Sequence, residues 1–221
     1  MDVSLDTDIT IHLYNAGKEE LLYKYFDNLY MHEFILEHEI KNKSDDVYKK
    51  IKEEAAKDRI IIVTKSDLIE IGMEKSFTNQ LYDIKVLFDY GEANAIALAS
   101  TLGISALVTD DTKEFGPHDT LVKELIQDVI PFAFYELLFL DYIQSDDKFN
   151  EFLYDFNQIN NVAYPERPIG FFSRIKRVVR RFGKHGTIRD RRWMSNFCNH
   201  HNIDDYDKKM QLLHKHMEQM E

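Results

Sequence analysis

The sequence predicts an α/β protein: a three-layer α/β/α fold with a mostly parallel central sheet, followed by a helical C-terminal extension. Three observations carry this. Short apolar or β-branched runs alternate with helical patterns over the first 143 residues, the order in which parallel strands and their crossover helices are written. Carboxylates stand where two of those strands end, at Asp6 and at Asp110-Asp111, and strand ends are where open α/β sheets bind their ligands. Beyond Pro165 and Pro168 the chain turns cationic and amphipathic.

Val3-Ser4-Leu5 reads as a strand that delivers Asp6 to its C-terminal end. A helix starting near Ile9 follows, with Asp8 equally legible as its N-cap. Leu21, Leu22, Tyr25, Phe26 and Leu29 recur every three or four residues, which predicts one helix from Lys18 to Tyr30. A second helix is expected from Glu33 to Lys41, carrying Glu37 and Glu39, and the charged span Lys41 to Lys57 reads as a polar loop and an exposed helix. Arg59 to Thr64 is β-branched enough to be a strand buried on at least one side. Ser66 to Phe88 is read as helical, with Asp67 near its cap.

Gly91 to Ala99 predicts a helix with Glu92 at its start, running into a strand at Ala106-Leu107-Val108. Thr112 to His118 has loop character, Asp119 and Thr120 cap a helix through Ile126, and Asp128 to Phe132 reads as a strand that Pro131 places at an end or edge. Phe134 to Ile143 completes the alternation as an apolar helix. Next comes a helix from Ser145 to Asn161, with Phe149, Phe152, Leu153 and Phe156 on its buried face. The stretch from Asn160 to Gly170 reads as a boundary or hinge. The expected domains are therefore 1–160 and 161–221. In the extension, Phe171, Ile175, Val178 and Phe182 form one stripe of an amphipathic helix, and Tyr206, Met210, Leu213 and Met217 form another.

The net charge is −11, which by itself disfavours a polyanion as partner. Its distribution says otherwise. Between Phe171 and Trp193 nine bases face one acid, so that segment is +8 and the rest of the chain carries −19. A single cysteine, Cys198, excludes an intrachain disulfide and agrees with a reducing compartment. With His200, His201, His214 and His216 it fits no common zinc spacing, and these residues read as polar surface beside a helix. No apolar run approaches the roughly 18 residues of a membrane span, and Met1-Asp2 lacks a basic signal-peptide start. A cytoplasmic protein with no membrane partner is expected.

Asp6, Glu92, Asp110 and Asp111 come from three distant parts of the chain, each at a strand end or helix start. Together they could hold a divalent cation, and an all-oxygen donor set favours Mg2+ or Mn2+ over zinc. Two such ions about 4 Å apart would activate a water and stabilise the leaving oxygen in phosphodiester hydrolysis.

Leu5-Asp6-Thr7, Leu36-Glu37-His38-Glu39-Ile40, Gly91-Glu92-Ala93-Asn94-Ala95-Ile96-Ala97-Leu98-Ala99 and Leu107-Val108-Thr109-Asp110-Asp111 resemble the ordered motifs of PIN domains over roughly residues 1 to 143. The resemblance implies a metal-dependent nuclease, usually acting on RNA, with a compact α/β/α fold and often a dimeric state. It implies Asp6, Glu39, Glu92, Asp110 and Asp111 as the catalytic acids. RNA is the expected partner, with DNA as the alternative, and a protein inhibitor or antitoxin and a second copy of the chain as further partners.

An acidic site needs cations elsewhere to hold a phosphate backbone. Arg174, Arg177, Arg180, Arg181, Lys184, Arg189, Arg191 and Arg192 are expected to supply them, with Trp193 stacking on an unpaired base. The opposite reading is a basic face that docks on the acidic main domain. Two rival functions remain. One is a PIN-like binding module without catalysis. The other is a phosphatase, because Asp6-Thr7-Asp8-Ile9-Thr10 resembles the Asp-x-Asp-x-Thr signature of haloacid-dehalogenase-like enzymes, with Asp6 as nucleophile and Asp8 as acid or base.

Overall fold

The structure is a computed structural model and describes residues 1–110, 128–146 and 148–220. The chain divides into two compact units, Met1–Ala133 and Phe134–Glu221. The division thus falls directly after the sheet, not at the proline-bearing stretch near residue 160.

The first unit is an α/β fold around a five-stranded, all-parallel sheet in the order β3-β2-β1-β4-β5. Its strands are β1 (Asp2–Leu5), β2 (Asn28–His32), β3 (Ile60–Val63), β4 (Ala106–Val108) and β5 (Ile130–Phe132). Between β1 and β2 lie α1 (Thr7–Asn15) and α2 (Glu20–Tyr25); between β2 and β3 lie a π-helix (Ile35–Ile40), α3 (Lys41–Lys43) and α4 (Asp45–Ala56). From β3 to β4 the chain forms α5 (Lys65–Glu70), α6 (Glu74–Ile84) and α7 (Tyr90–Leu102).

Ser4 shows how the layers are assigned. Its hydroxyl donates to the Ala95 carbonyl of α7 at 2.9 Å, so Ser4 faces α7. By the pleat, Val3 and Leu5 face the other way. Tyr30, opposite Ser4 in register, joins Val63, Leu68, Phe77, Ala97 and Leu98 in a core with α5, α6 and α7. On the opposite face Val3, Leu5, Leu29 and Met31 are just as deeply buried. There α1 and α4 pack on each other and α4 packs on β3. Helices therefore cover both faces, as the alternation predicts.

Several local expectations change. The span from Lys18 to Tyr30 is not one helix: α2 stops at Tyr25, Phe26 is extended, and the remainder forms β2. Leu21, Leu22, Tyr25, Phe26 and Leu29 are all buried as expected, but a three-four spacing across a helix-strand junction looks the same as one continuous helix. Ser66 to Phe88 is two helices, broken at Gly72, whose φ of +73° only glycine adopts without strain. Thr64 and Asp67 form a reciprocal capping box at the start of α5. Pro131 lies in β5, an edge strand of the sheet, where a missing N–H costs least. The loop and helix expected from Thr112 to Ile126 lie outside the described residues.

The second unit is helical: α8 (Phe134–Gln144), α9 (Phe149–Ala163), α10 (Phe171–Phe182), α11 (Ile188–His200) and α12 (Tyr206–Met220). Phe149, Phe152 and Phe156 of α9 contact the ring of Phe171, with centroids 5.0 to 5.9 Å apart. Phe139 of α8 stacks on Phe182. The proline stretch is tied down inside this unit: buried Asn160 donates to the Ile169 carbonyl at 2.9 Å and accepts the Ile169 N–H at 3.0 Å. No helix among the described residues is long and apolar enough to cross a membrane.

Candidate active site at the carboxyl ends of β1 and β4

From β1 the chain builds outward through β2 to β3, then α7 carries it back across β1 to β4 and β5. The strand order therefore reverses between β1 and β4. In open parallel sheets the crevice outside the carboxyl ends at such a reversal is the ligand site. Asp6 and Asp110 stand at those two ends. The Asp6 N–H donates to the Val108 carbonyl at 3.0 Å, which ties the ends together.

Asp6 occupies the N-cap position of α1 in extended conformation, yet its side chain makes no capping hydrogen bond. Forgoing a cap costs about 1 kcal/mol. The carboxylate instead accepts the Thr109 hydroxyl at 3.0 Å. Asp8 is not the cap either; it is exposed in the first turn and pairs with Lys43 at 2.7 Å. In α7, Asp89 does the capping by accepting the Glu92 N–H at 2.9 Å. Glu92 is thereby left in the first turn, buried, with Oε1 at 3.4 Å from the same Thr109 hydroxyl.

One hydroxyl thus stands between two buried carboxylates, and it has one proton to give. Burial pushes the Asp6 carboxyl up to about 7, and the charges of Asp8 and Asp89 add to this against the Thr7 N–H and Thr109 hydroxyl that lower it. Such crowding is relieved by a proton or by a cation.

Asp110 is buried and accepts or shares a proton with His12 Nδ1 at 2.9 Å. Glu39 arrives from the π-helix, where its Oε2 accepts the Thr7 hydroxyl. The same carboxylate lies over Gly91: a Cβ added there would be 2.5 Å from both Cδ and Oε1 of Glu39. Glycine at this position in α7 is what allows the Glu39 carboxylate to sit beside the helix that carries Glu92. Lys43 also reaches this region, its charge acting on Asp8, Glu39 and Asp6.

The structure therefore brings Asp6 and Glu92 to one hydroxyl at the carboxyl end of β1, sets Asp110 at the end of the neighbouring strand against His12, and holds Glu39 over Gly91; Asp111 lies outside the described residues. Sequence reading missed Thr109 as the shared donor, His12 as the partner of Asp110, and Lys43. Thr7 and Thr109 adjoin acids in the sequence, which was the available signal; nothing local marked His12 or Lys43.

Among the described residues no group of three or more His, Cys, Asp or Glu side chains is arranged to hold a metal ion. The donor set still suits Mg2+, a hard cation that takes one or two protein carboxylates and keeps several waters, without needing an all-protein cage. The Asp6 carboxyl is raised chiefly by its burial, with the charges of Asp8 and Asp89 adding to it.

The nine residues expected to hold nucleic acid divide in the second unit. Arg177, Arg180, Lys184, Arg191 and Arg192 are exposed, and Arg174 and Arg189 are half-buried. Arg174 lies over the Tyr135 ring, and Arg189 bonds Asp190 at 3.2 Å. Two leave the set. Arg181 is buried between Glu136 at 2.5 Å and Asp190 at 3.2 Å. Trp193 is buried and stacks on Phe197, so its ring is not offered to a base. Helical phase explains both: each follows the apolar stripe of its helix inward. Cys198 is buried too, not surface, and burial raises its thiol to about 11, which makes it a poor nucleophile. No family model matches the chain, and no curated protein and no solved structure is significantly similar to it.

Proposed function

We propose that this chain is a metal-dependent endoribonuclease that hydrolyses phosphodiester bonds of RNA. The observation that supports it most is the pair of buried carboxylates, Asp6 and Glu92, meeting at one Thr109 hydroxyl beside Asp110, at the reversal point of a parallel sheet. Stability alone does not call for buried acids gathered there, and a cation does. The resemblance to PIN domains implies these three acids among five, with Glu39 and Asp111.

In this reading Asp6, Glu92 and Asp110 hold Mg2+ or Mn2+, with Asp111 as the adjacent acid. The ion, when bound, neutralises charge on the scissile phosphate and lowers the pKa of the attacking water. The rest is done by the protein. Thr109 orients the Asp6 carboxylate and lies 3.4 Å from that of Glu92, and His12 orients Asp110. Glu39, less buried than the other three and oriented by Thr7, is the group that takes a proton. Arg177, Arg180, Lys184, Arg191 and Arg192 supply positive charge for phosphates.

A binding module without catalysis is the second reading, favoured by the absence, among the described residues, of three side chains arranged to hold an ion. Incubation of the purified chain with single-stranded RNA separates the two. Cleavage should require Mn2+ or Mg2+ and disappear in Asp110→Asn. Unchanged cleavage in that variant, or none on RNA or DNA with either ion, would exclude the nuclease. Turnover of a phosphomonoester lost in Asp6→Asn would support a phosphatase instead.

A further inference from the structure

Next to the acidic crevice, in the same unit, lies a cavity of about 400 Å³ at the carboxyl ends of β2 and β3. It shares two walls with the candidate active site. Tyr90 and Asn94 flank Gly91-Glu92 on α7, and Glu37 and His38 immediately precede Glu39 on the π-helix. The elements that line it are thus the ones that carry Glu39 and Glu92.

Its lining is aromatic at two depths. Inside, His32 and Phe77 stack with centroids 4.7 Å apart and are both buried. At the mouth, Phe34 stacks on His38 at 5.0 Å and meets Tyr90 edge-on at 4.6 Å. Tyr90 is 49% exposed, Phe34 half-buried and His38 exposed. Three rings gathered at an opening, two of them well exposed, form a platform for a flat π-system.

Among these rings stand three carboxylates, Glu33, Glu37 and Glu74, together with donors that include Lys65 and Asn94. Glu33 accepts one hydrogen bond, from the Lys65 N–H at 2.8 Å. Glu37 is held by Tyr48 and Lys41 and lies 3.7 Å from Lys52. Each carboxylate offers about four lone-pair sites, so both keep capacity. On the donor side, the Nδ1 of His32 accepts the Phe34 N–H at 3.2 Å, which puts the ring proton of neutral His32 on Nε2. Lys65 lines the cavity but lies 3.7 Å from Glu74.

The geometry points to a subsite for one unpaired nucleobase next to the scissile phosphate, selective for bases with an exocyclic amino group, namely adenine, cytosine and guanine over uracil. This rests on the nuclease reading for the position of the phosphate, though not for binding itself. Carboxylates read amino groups: an acidic side chain accepts from cytosine N4 or adenine N6, whereas uracil places a carbonyl there. Stacking on the Phe34, His38 and Tyr90 platform supplies affinity without sequence preference, and the glutamates supply the preference.

Fluorescence anisotropy with labelled twelve-residue homopolymers tests it, using the full chain in EDTA so that no cleavage occurs. Repulsion between phosphates and site acids is common to all oligomers and cancels in the ratios. Oligo(A) and oligo(C) should bind about ten-fold tighter than oligo(U), the effect of one well-placed base contact. Tyr90→Leu and Phe34→Leu should each weaken oligo(A) about ten-fold. Glu33→Gln should bring oligo(A) and oligo(U) together, and Tyr82→Leu, an exposed ring on α6, should change nothing. Equal affinity for oligo(U), or full affinity in Tyr90→Leu and Phe34→Leu with unchanged thermal melting, overturns the subsite. Base preference without Mn2+-dependent cleavage would retain the subsite and remove the nuclease. Cleavage with no base preference would do the reverse.

Discussion

Gly91→Ala is the substitution that asks most directly whether Glu39 belongs to the site. In an exposed or neutral helical position this change stabilises by about 1 kcal/mol, because alanine loses less backbone entropy. Here the new Cβ would lie 2.5 Å from Glu39 Cδ and Oε1, so the carboxylate must move. It is the end of a flexible side chain, and moving it loses chiefly the hydrogen bond from Thr7, which is only part-buried and so stands near the lower end, about 1.5 kcal/mol, of the range for a charged acceptor. Gain and loss nearly cancel, and folding stability should change by no more than about 1 kcal/mol. In a Glu39→Ala background nothing remains to displace, and Gly91→Ala should then stabilise by the full ~1 kcal/mol. Urea unfolding of the four chains gives the coupling.

Cleavage is the sharper readout. If Glu39 takes a proton in the reaction, Gly91→Ala and Glu39→Ala should each reduce kcat/KM about 10²-fold or more. The double variant should be no worse than either, because both remove the same group. A Gly91→Ala chain with full activity, or single losses that multiply in the double variant, would refute the placement of Glu39 over Gly91.

Two further tests bear on stability. His32 is buried, and burial lowers its pKa from 6.5 to about 4. The folded state therefore keeps the ring neutral while the unfolded chain protonates it. Stability from this group is complete above pH 6.5 and is lost as pH falls toward 4, by about 2 kcal/mol between pH 7 and pH 5. Urea titrations at both pH values should show this loss in the parent relative to His32→Gln; equal pH dependence in the two would contradict it. In the basic segment, neighbouring arginines should behave oppositely. Arg181→Met removes the buried guanidinium between Glu136 and Asp190 and should cost roughly 3–5 kcal/mol. Arg180→Met, on the exposed face, should cost under about 0.5 kcal/mol while lowering the salt slope of RNA binding by about one. Reversed roles, seen by melting and by salt titration of RNA affinity, would mean that the helix face is misassigned.

The alternation of strands and helices made the sheet legible, because buried parallel strands are written as short apolar runs between helical stretches. What the pattern hid was β2. Leu29 and Met31 are buried on one face and Tyr30 contributes to the other, so no alternation of polar with apolar residues marks the strand. The spacing from Leu21 to Leu29 continued the helical rhythm by coincidence. The cationic stripe was legible as a face, but not which of its members turn inward. Arg181 and Trp193 fall on the buried side of helices whose phase is set by Ile175, Val178, Met194 and Phe197.

Glu39 shows why part of a site escapes periodicity altogether. In an α-helix residues four apart share a face, so Glu39 would stand in line with buried Ile35, and Ile40 would turn away. The Lys41 N–H instead donates to the Leu36 carbonyl, five residues back, the spacing of a π-helix. In that register Ile40 falls in line with Ile35, and both are fully buried. Glu39 is then released from the core line and its carboxylate reaches Thr7 and Gly91. The wider turn satisfies the core with Ile40 and delivers an acid to the crevice, two demands that a regular α-helix of the same sequence would set against each other. A substitution that restores α-register should therefore remove the acid without touching it. Deleting His38 does so by putting Ile40 four residues after Ile35. The deletion should leave a folded protein that has lost the contact between Glu39 and Gly91, in which Gly91→Ala is stabilising by about 1 kcal/mol. If Gly91→Ala remained neutral in the deletion chain, the π-helix would not be what brings Glu39 to the site.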